Sequence, residues 1–266
     1  MMRIDCRNIS GDPGKSEQVR LAHDCLVKNG YAILDHVFPE DKIRALNCEF
    51  HEQYAKYRQD RELDDTLWVG ERRFLVPIDL SGGFGDPSLY ANPLVVALVR
   101  EALEPDAIVE AYGAIVSLSG STEQDIHRDS PVLFSNDIAP LLPAHALTFG
   151  IPLLEMNELH GTTAIFPKSH RWKVFDQQAS PQCPVVPIGS CVIWDFRLFH
   201  RGTPNRSDMP RPLLYATYAR RWYQDPVNFV KATQRRLTFG PAFFEGLTDD
   251  RRKLFSHIDP SPAAES

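Results

Sequence analysis

The sequence predicts a mainly β chain, a double-stranded β-helix (jelly roll) flanked by N-terminal α-helices. Two observations carry this expectation. After Pro105 the chain breaks into short β-rich runs, Ile108–Leu118, Ala146–Leu154, Thr162–Phe166, Pro184–Ile188, Cys191–Phe196 and Leu213–Ala219, separated by turn residues. Before Pro105 helical periodicity dominates, and no strand–helix–strand alternation of a parallel sheet is present. The expected division is a helical part over about 16–104, a jelly-roll core over about 105–221 and a helical extension over about 222–266. All three belong to a single domain, 1–266, because no Ser/Gly/Pro-rich linker separates them.

Taken in order, residues 1–15 are polar, with a Gly11-Asp12-Pro13-Gly14 turn, and read as a loose lead-in. Val19, Leu21, Ala22, Cys25 and Leu26 form a helical stripe from Ser16 to Lys28 that stops at Asn29-Gly30. Tyr31–Val37 reads as a strand. Pro39 opens a second helix, with Glu40 and Asp41 at the positive end of its dipole and Ile43, Leu46, Phe50 and Tyr54 as its buried face. Residues 60–92 have no clear period, and their Gly82-Gly83-Phe84-Gly85 cluster lacks the Lys-Ser/Thr of a phosphate loop. Pro93–Leu103 is a third helix. Beyond the β-rich region, 240–257 includes one more amphipathic helix, and Asp259–Ser266 reads as a frayed tail.

Composition excludes several classes of function. A net charge of −6 gives no support to a nucleic-acid or acidic-membrane partner. No apolar run approaches membrane-spanning length, and the N-terminus lacks the apolar core of a secretory signal. Five scattered cysteines without a CxxC pair suggest a reduced, cytoplasmic chain with no thiolate zinc site. The expected partner is a small-molecule substrate, and nothing in the sequence speaks against a homodimer.

The chemistry concentrates in Gln124-Asp125-Ile126-His127-Arg128-Asp129, which follows the Ile108–Leu118 run. At strand periodicity, residues i and i+2 point the same way, so His127 and Asp129 can converge on one point. They supply two-thirds of a 2-His-1-carboxylate set, the arrangement that holds Fe(II) and leaves positions open. His200, emerging from the Cys191–Phe196 strand just before a turn, is the best third donor. His170 follows a Pro-led turn and reads as a loop stabiliser, and His36 and His51 lack ligand-like company. Asp195 reads as an ion-pair carboxylate for Arg197 or Arg220, or as a group that orients a ligand histidine. Arg211 opens another apolar run whose antiparallel return would bring its guanidinium near the metal floor, ready for a carboxylate.

Three motifs in this order carry a family resemblance. Gln-x-x-His-x-Asp at 124–129, Gly-Thr-Thr-x-x-x-Pro-x-Ser-His-x-Trp at 161–172 and His-x-Gly-x-x-Asn-x-Ser-x-x-x-Arg at 200–211 resemble the phytanoyl-CoA dioxygenase family of Fe(II)/2-oxoglutarate oxygenases. Asn29–Leu34 followed by Pro39-Glu40 is similar to that family's entry strand and helix, so the likeness spans about 16–221. His160 and Lys168 depart from the family's pattern in loops away from the triad.

The resemblance implies that His127, Asp129 and His200 ligate iron. It implies that Arg211 anchors the far carboxylate of 2-oxoglutarate, with Gln124 and Thr163 helping to hold this co-substrate. O2 would be consumed, succinate and CO2 released, and an unactivated C–H bond of a small, largely apolar metabolite oxidised, as in the family's natural-product tailoring enzymes. Related halogenases replace the carboxylate by a small residue, so Asp129 favours hydroxylation, desaturation or ring formation. Residues 60–92 and 130–145 are expected to wall the pocket. The alternatives are a cupin-like binding protein and a zinc hydrolase using the same three donors.

Overall fold

The computed structural model describes residues 2–7, 9 and 11–258; the expected C-terminal tail lies outside them. The elements are β1 (Arg3–Asp5), α1 (Glu17–Asn29), β2 (Tyr31–Asp35), α2 (Glu40–Gln53), β3 (Leu67–Gly70), β4 (Arg73–Pro77), β5 (Asp79–Leu80), α3 (Pro87–Tyr90), α4 (Pro93–Ala102), β6 (Ile108–Ser117), β7 (Ala146–Pro152), β8 (Thr163–Ile165), β9 (Cys191–Asp195), β10 (His200–Gly202), β11 (Arg211–Ala219), β12 (Thr238–Phe239) and α5 (Asp249–Lys253). An eight-stranded sheet has the order β1-β2-β9-β7-β11-β6-β4-β3, and β10 pairs with β8 in a small second sheet. Together they form the jelly-roll core.

Local chemistry sets the boundaries. Ser16 caps α1 by accepting from the Val19 N–H, and Gly30 ends it in the left-handed conformation at φ 82°. β2 stops at Asp35, two residues short of the expected strand, because His36 takes φ 60°. α2 begins at Glu40, with Pro39 as its N-cap. The N-terminal lead-in is more ordered than expected: Arg3–Asp5 pairs in parallel with Ile33–Asp35. Pro184–Ile188 is not a strand but a single bridge from Val186 to Met156. The C-terminal helix shrinks to Asp249–Lys253, although Leu254 and Phe255 just beyond it are buried.

Helices α1, α2 and α4 pack one face of the large sheet. Their buried Val19, Ala22, Ile43, Leu46, Val95 and Val99 join Val109, Phe149 and Ile193 in one apolar core. On the sheet's other face Tyr31, Ile33, Val192, Trp194 and Leu213 pack with Met156, Ile165 and Leu198, and the cavity opens beside this second cluster. The region without a clear period contributes β3 and β4 to this sheet, next to β6. Among the described residues no helix is long and apolar enough to cross a membrane.

Candidate functional site

The stretch 124–129 runs antiparallel to the segment around β10. His127 and His200 exchange backbone hydrogen bonds in both directions at 3.0 Å, and the Gln124 and Asp129 N–H groups donate to the Gly202 and Phe196 carbonyls. The i, i+2 spacing then turns His127 and Asp129 to one side, and the cross-strand pairing delivers His200 to them. Their donor atoms lie within 4.8 Å of one another, the one such group of three His, Cys, Asp or Glu found among the described residues.

Each donor is held by its other atoms. The Nδ1 of His127 lies 2.8 Å from the Asp125 carbonyl, and that of His200 lies 3.0 Å from the Leu198 carbonyl. A carbonyl can only accept, so both Nδ1 atoms carry the proton and both Nε2 lone pairs are left for a metal. Asp129 Oδ2 accepts from Thr148 Oγ1 and from Trp194 Nε1, each at 2.8 Å, while Oδ1 lies 3.4 Å from His200 Nε2. One carboxylate oxygen is thus tied to the sheet and the other faces the two imidazoles. Burial lowers the His127 pKa, and the nearby His200 adds to this. Burial also opposes charge on His200, but the Asp129 carboxylate outweighs it and the net shift is upward. Asp129 is pushed up by burial and more than compensated by the two histidines and Thr148, ending below the usual carboxylate range.

The three donors open into a cavity of about 400 Å³ that is also lined by Arg211, Gln124, Thr163 and Arg73. Arg211 and Arg73 face Ser117 from neighbouring strands, and both donate to its hydroxyl, at 2.8 and 2.9 Å. Arg73 also donates to the Thr203 carbonyl at 2.8 Å. Yet Arg211 Nε and Nη1 and Arg73 Nη1 are buried without a partner among the described residues. Burial, together with the charge of Arg73, lowers the Arg211 pKa to about 9, and burial lowers that of Arg73 to about 10. Both therefore stay charged near neutrality. Two buried cations with unpaired donors have the chemistry to accept a carboxylate. Gly202 belongs to the same device, because a side chain there would collide with the Arg73 guanidinium.

The model of the family described as phytanoyl-CoA dioxygenase (PhyH) matches residues 26–213. The chain belongs to this family. A curated relative, the Fe(II)/2-oxoglutarate-dependent dioxygenase nvfF of Aspergillus novofumigatus (strain IBT 16806), is 25% identical over 190 residues, 67% of this chain. The match spans only 63% of that relative's length. Among solved structures, the non-heme alpha ketoglutarate dependent epimerase SnoN from nogalamycin biosynthesis superposes with a TM-score of 0.57 at 15% identity, covering 76% of this chain and 83% of that one. At that identity the likeness shows a shared fold.

Within this site, the residues singled out in the sequence are brought together, and others join them. Gln124 uses its amide to donate to the Val69 carbonyl and to accept from the Gly202 N–H at 2.8 Å, stitching β3 to β10 beside the triad. Thr163 is paired with Gly202 across β8 and β10 and lines the cavity. Sequence reasoning missed Arg73 and Ser117. The available signal was an arginine opening the apolar Arg73–Ile78 run, but its role depends on β4 pairing with β6, some 40 residues away.

The expected pocket wall is half corrected. Residues 60–92 do line the cavity, through Trp68, Val69, Gly70, Arg73 and Leu75, but 130–145 does not. Arg197 pins that segment elsewhere by donating to the carbonyls of Ala139 and Leu142. Asp225, Val227, Asn228 and Phe229 supply the wall instead. His170 sits away from the triad, against the Val27 carbonyl, and Asp195 pairs with Arg197.

Proposed function

We propose that the chain is a non-heme Fe(II)/2-oxoglutarate-dependent oxygenase that oxidises an unactivated C–H position of a small, largely apolar metabolite, in secondary metabolism. The observation that carries this reading is a single cavity in which three oriented donors face two arginines with unpaired guanidinium nitrogens. His127, Asp129 and His200 would hold Fe(II), and Arg211 with Arg73 and Ser117 would hold the far carboxylate of 2-oxoglutarate. Gln124 and Thr163 shape the wall beside the co-substrate. A metal-free binding protein has no use for three oriented donors, and a zinc hydrolase has none for a dicarboxylate anchor.

Bound Fe(II) supplies O2 activation coupled to decarboxylation of 2-oxoglutarate to succinate and CO2, with the oxidising power delivered to a substrate C–H bond. The chain's own residues orient the reactants. The Asp125 and Leu198 carbonyls hold both imidazoles with Nε2 facing inward. Thr148 and Trp194 fix the rotation of the Asp129 carboxylate. The arginine pair sets the register of the co-substrate by its distal end, so its reactive end meets the triad. Trp194, Phe196, Leu213, Val227 and Phe229 give the cavity an apolar lining that limits water.

The test is succinate formation from 2-oxoglutarate by protein loaded anaerobically with Fe(II), with and without O2. O2-dependent succinate, lost in His127→Ala and strongly reduced in Arg211→Ala, is the expected result. Undiminished turnover in His127→Ala rules the site out.

A further inference from the structure

Arg211, Leu213, Tyr215 and Thr217 alternate along β11 and all line the cavity. Tyr215 is only 4% exposed, and its phenolic oxygen is buried without a hydrogen-bond partner among the described residues. Both of its cross-strand neighbours are glycines, Gly113 on β6 and Gly150 on β7. A methyl group at Gly113 would lie 2.9 Å from the Tyr215 hydroxyl oxygen and 2.6 Å from the Val76 carbonyl. The fold thus removes side chains on both sides of this tyrosine and leaves its hydroxyl unanswered. A buried, unpaired hydroxyl costs stability, and a ligand that completes its bonding recovers that cost.

Tyr215 stands four residues from Arg211, roughly 14 Å along an antiparallel strand. Asp129 accepts from Thr148, which pairs with Thr217, so Tyr215 lies at the triad end of the cavity, far from the distal-carboxylate anchor and where the primary substrate would meet the metal. The charges around it define that ligand. Glu110 and Asp225 carry carboxylates near this end of the cavity, with Arg236 paired to Glu110. Asp225 is engaged by the Val227 and Asn228 N–H groups and by the Asn228 side chain. Burial, reinforced by these two carboxylates, raises the Tyr215 pKa well above the usual phenol range, so it remains a donor. An anionic group would be repelled here, whereas a neutral oxygen acceptor would be bound.

Building on the oxygenase reading, we propose that Tyr215 is a specificity-determining donor for the primary substrate, which carries a neutral oxygen, such as a ketone, on an otherwise apolar frame. The probes are camphor and 5α-androstan-17-one, each beside its deoxygenated hydrocarbon. Binding is followed by tryptophan fluorescence of the full chain loaded with Mn(II) and 2-oxoglutarate. At least one ketone is expected to bind about tenfold more tightly than its hydrocarbon. In Tyr215→Phe that preference should fall to within about twofold, with the melting temperature not lowered and the 2-oxoglutarate affinity unchanged. A tyrosine that served only packing would leave the ketone preference intact. The proposal is overturned if neither ketone outbinds its hydrocarbon, if the variant keeps the preference, or if the variant weakens 2-oxoglutarate binding instead. Failure to bind Mn(II) and 2-oxoglutarate would count against the oxygenase reading alone, since the ketone preference is readable on the metal-free chain.

Discussion

Arg197 and Arg211 are buried alike, at 5% and 2% exposure, and are used in opposite ways. Arg197 meets Asp195 at 2.6 Å, donates a second bond to that carboxylate from Nε at 2.9 Å, and gives its Nη1 to the Ala139 and Leu142 carbonyls. Its charge is neutralised and its donors are answered. Among the described residues Arg211 has no carboxylate partner and its one side-chain acceptor is Ser117, while the charge that acts on it is that of another arginine, Arg73. The first arginine closes a structure, and the second keeps donors unanswered, as the proposed carboxylate anchor requires. Burial alone does not separate structural from ligand-binding arginines; unanswered donors do.

Breaking the closed pair should have the largest effect. Arg197→Ala would leave Asp195 charged and buried, at a cost of about 3–5 kcal/mol of stability, read by urea unfolding. Arg211→Met should instead leave the metal-free protein as stable as wild type or more so, because it removes an uncompensated buried charge. The same variant should weaken 2-oxoglutarate binding by about 10²–10³-fold, measured by calorimetry on Mn(II)-loaded protein. Equal stability losses in the two variants would erase the contrast.

Acid should act on the structural side. His145, next to the Asp195–Arg197 pair, has its pKa lowered to about 4, chiefly by burial, with Arg197 adding to this. The unfolded chain binds that proton first, so stability is intact above about pH 6.5 and is lost as pH falls towards 4, by on the order of 2–3 kcal/mol. His145→Gln should flatten the melting temperature over that interval. The smallest effect is expected around the metal donors. Trp194→Phe or Thr148→Val removes one of the two bonds that orient Asp129, and Fe(II) affinity should fall about tenfold, read by metal titration.

How much of this was legible in the sequence follows from the range of each interaction. The i, i+2 spacing of His127 and Asp129 is local, so strand periodicity predicted their convergence. His200 and Arg211 were legible because each sits at the end of an apolar run, where a strand hands its residue to a cavity. Arg73 was not, since it becomes a partner of Arg211 only when β4 and β11 flank β6 at the level of Ser117. The Asp225–Phe229 wall was missed for a related reason. It has no repeating backbone, and its shape comes from Asp225 capping its own loop and from Phe229 at φ 60°. The strand ends at His36 and Pro152 were set by a left-handed residue and a proline, which periodicity does not see.

The most direct test of the central claim is anaerobic titration of 2-oxoglutarate into Fe(II)-loaded protein, watching for the visible charge-transfer band of a 2-oxo acid chelated to Fe(II). A saturable band is predicted that needs His127, Asp129 and His200 to form, and that requires far higher 2-oxoglutarate in Arg211→Met and Arg73→Met. No band in wild type, or one that titrates identically in the arginine variants, would contradict the account of this cavity as an iron site with a two-arginine carboxylate receptor.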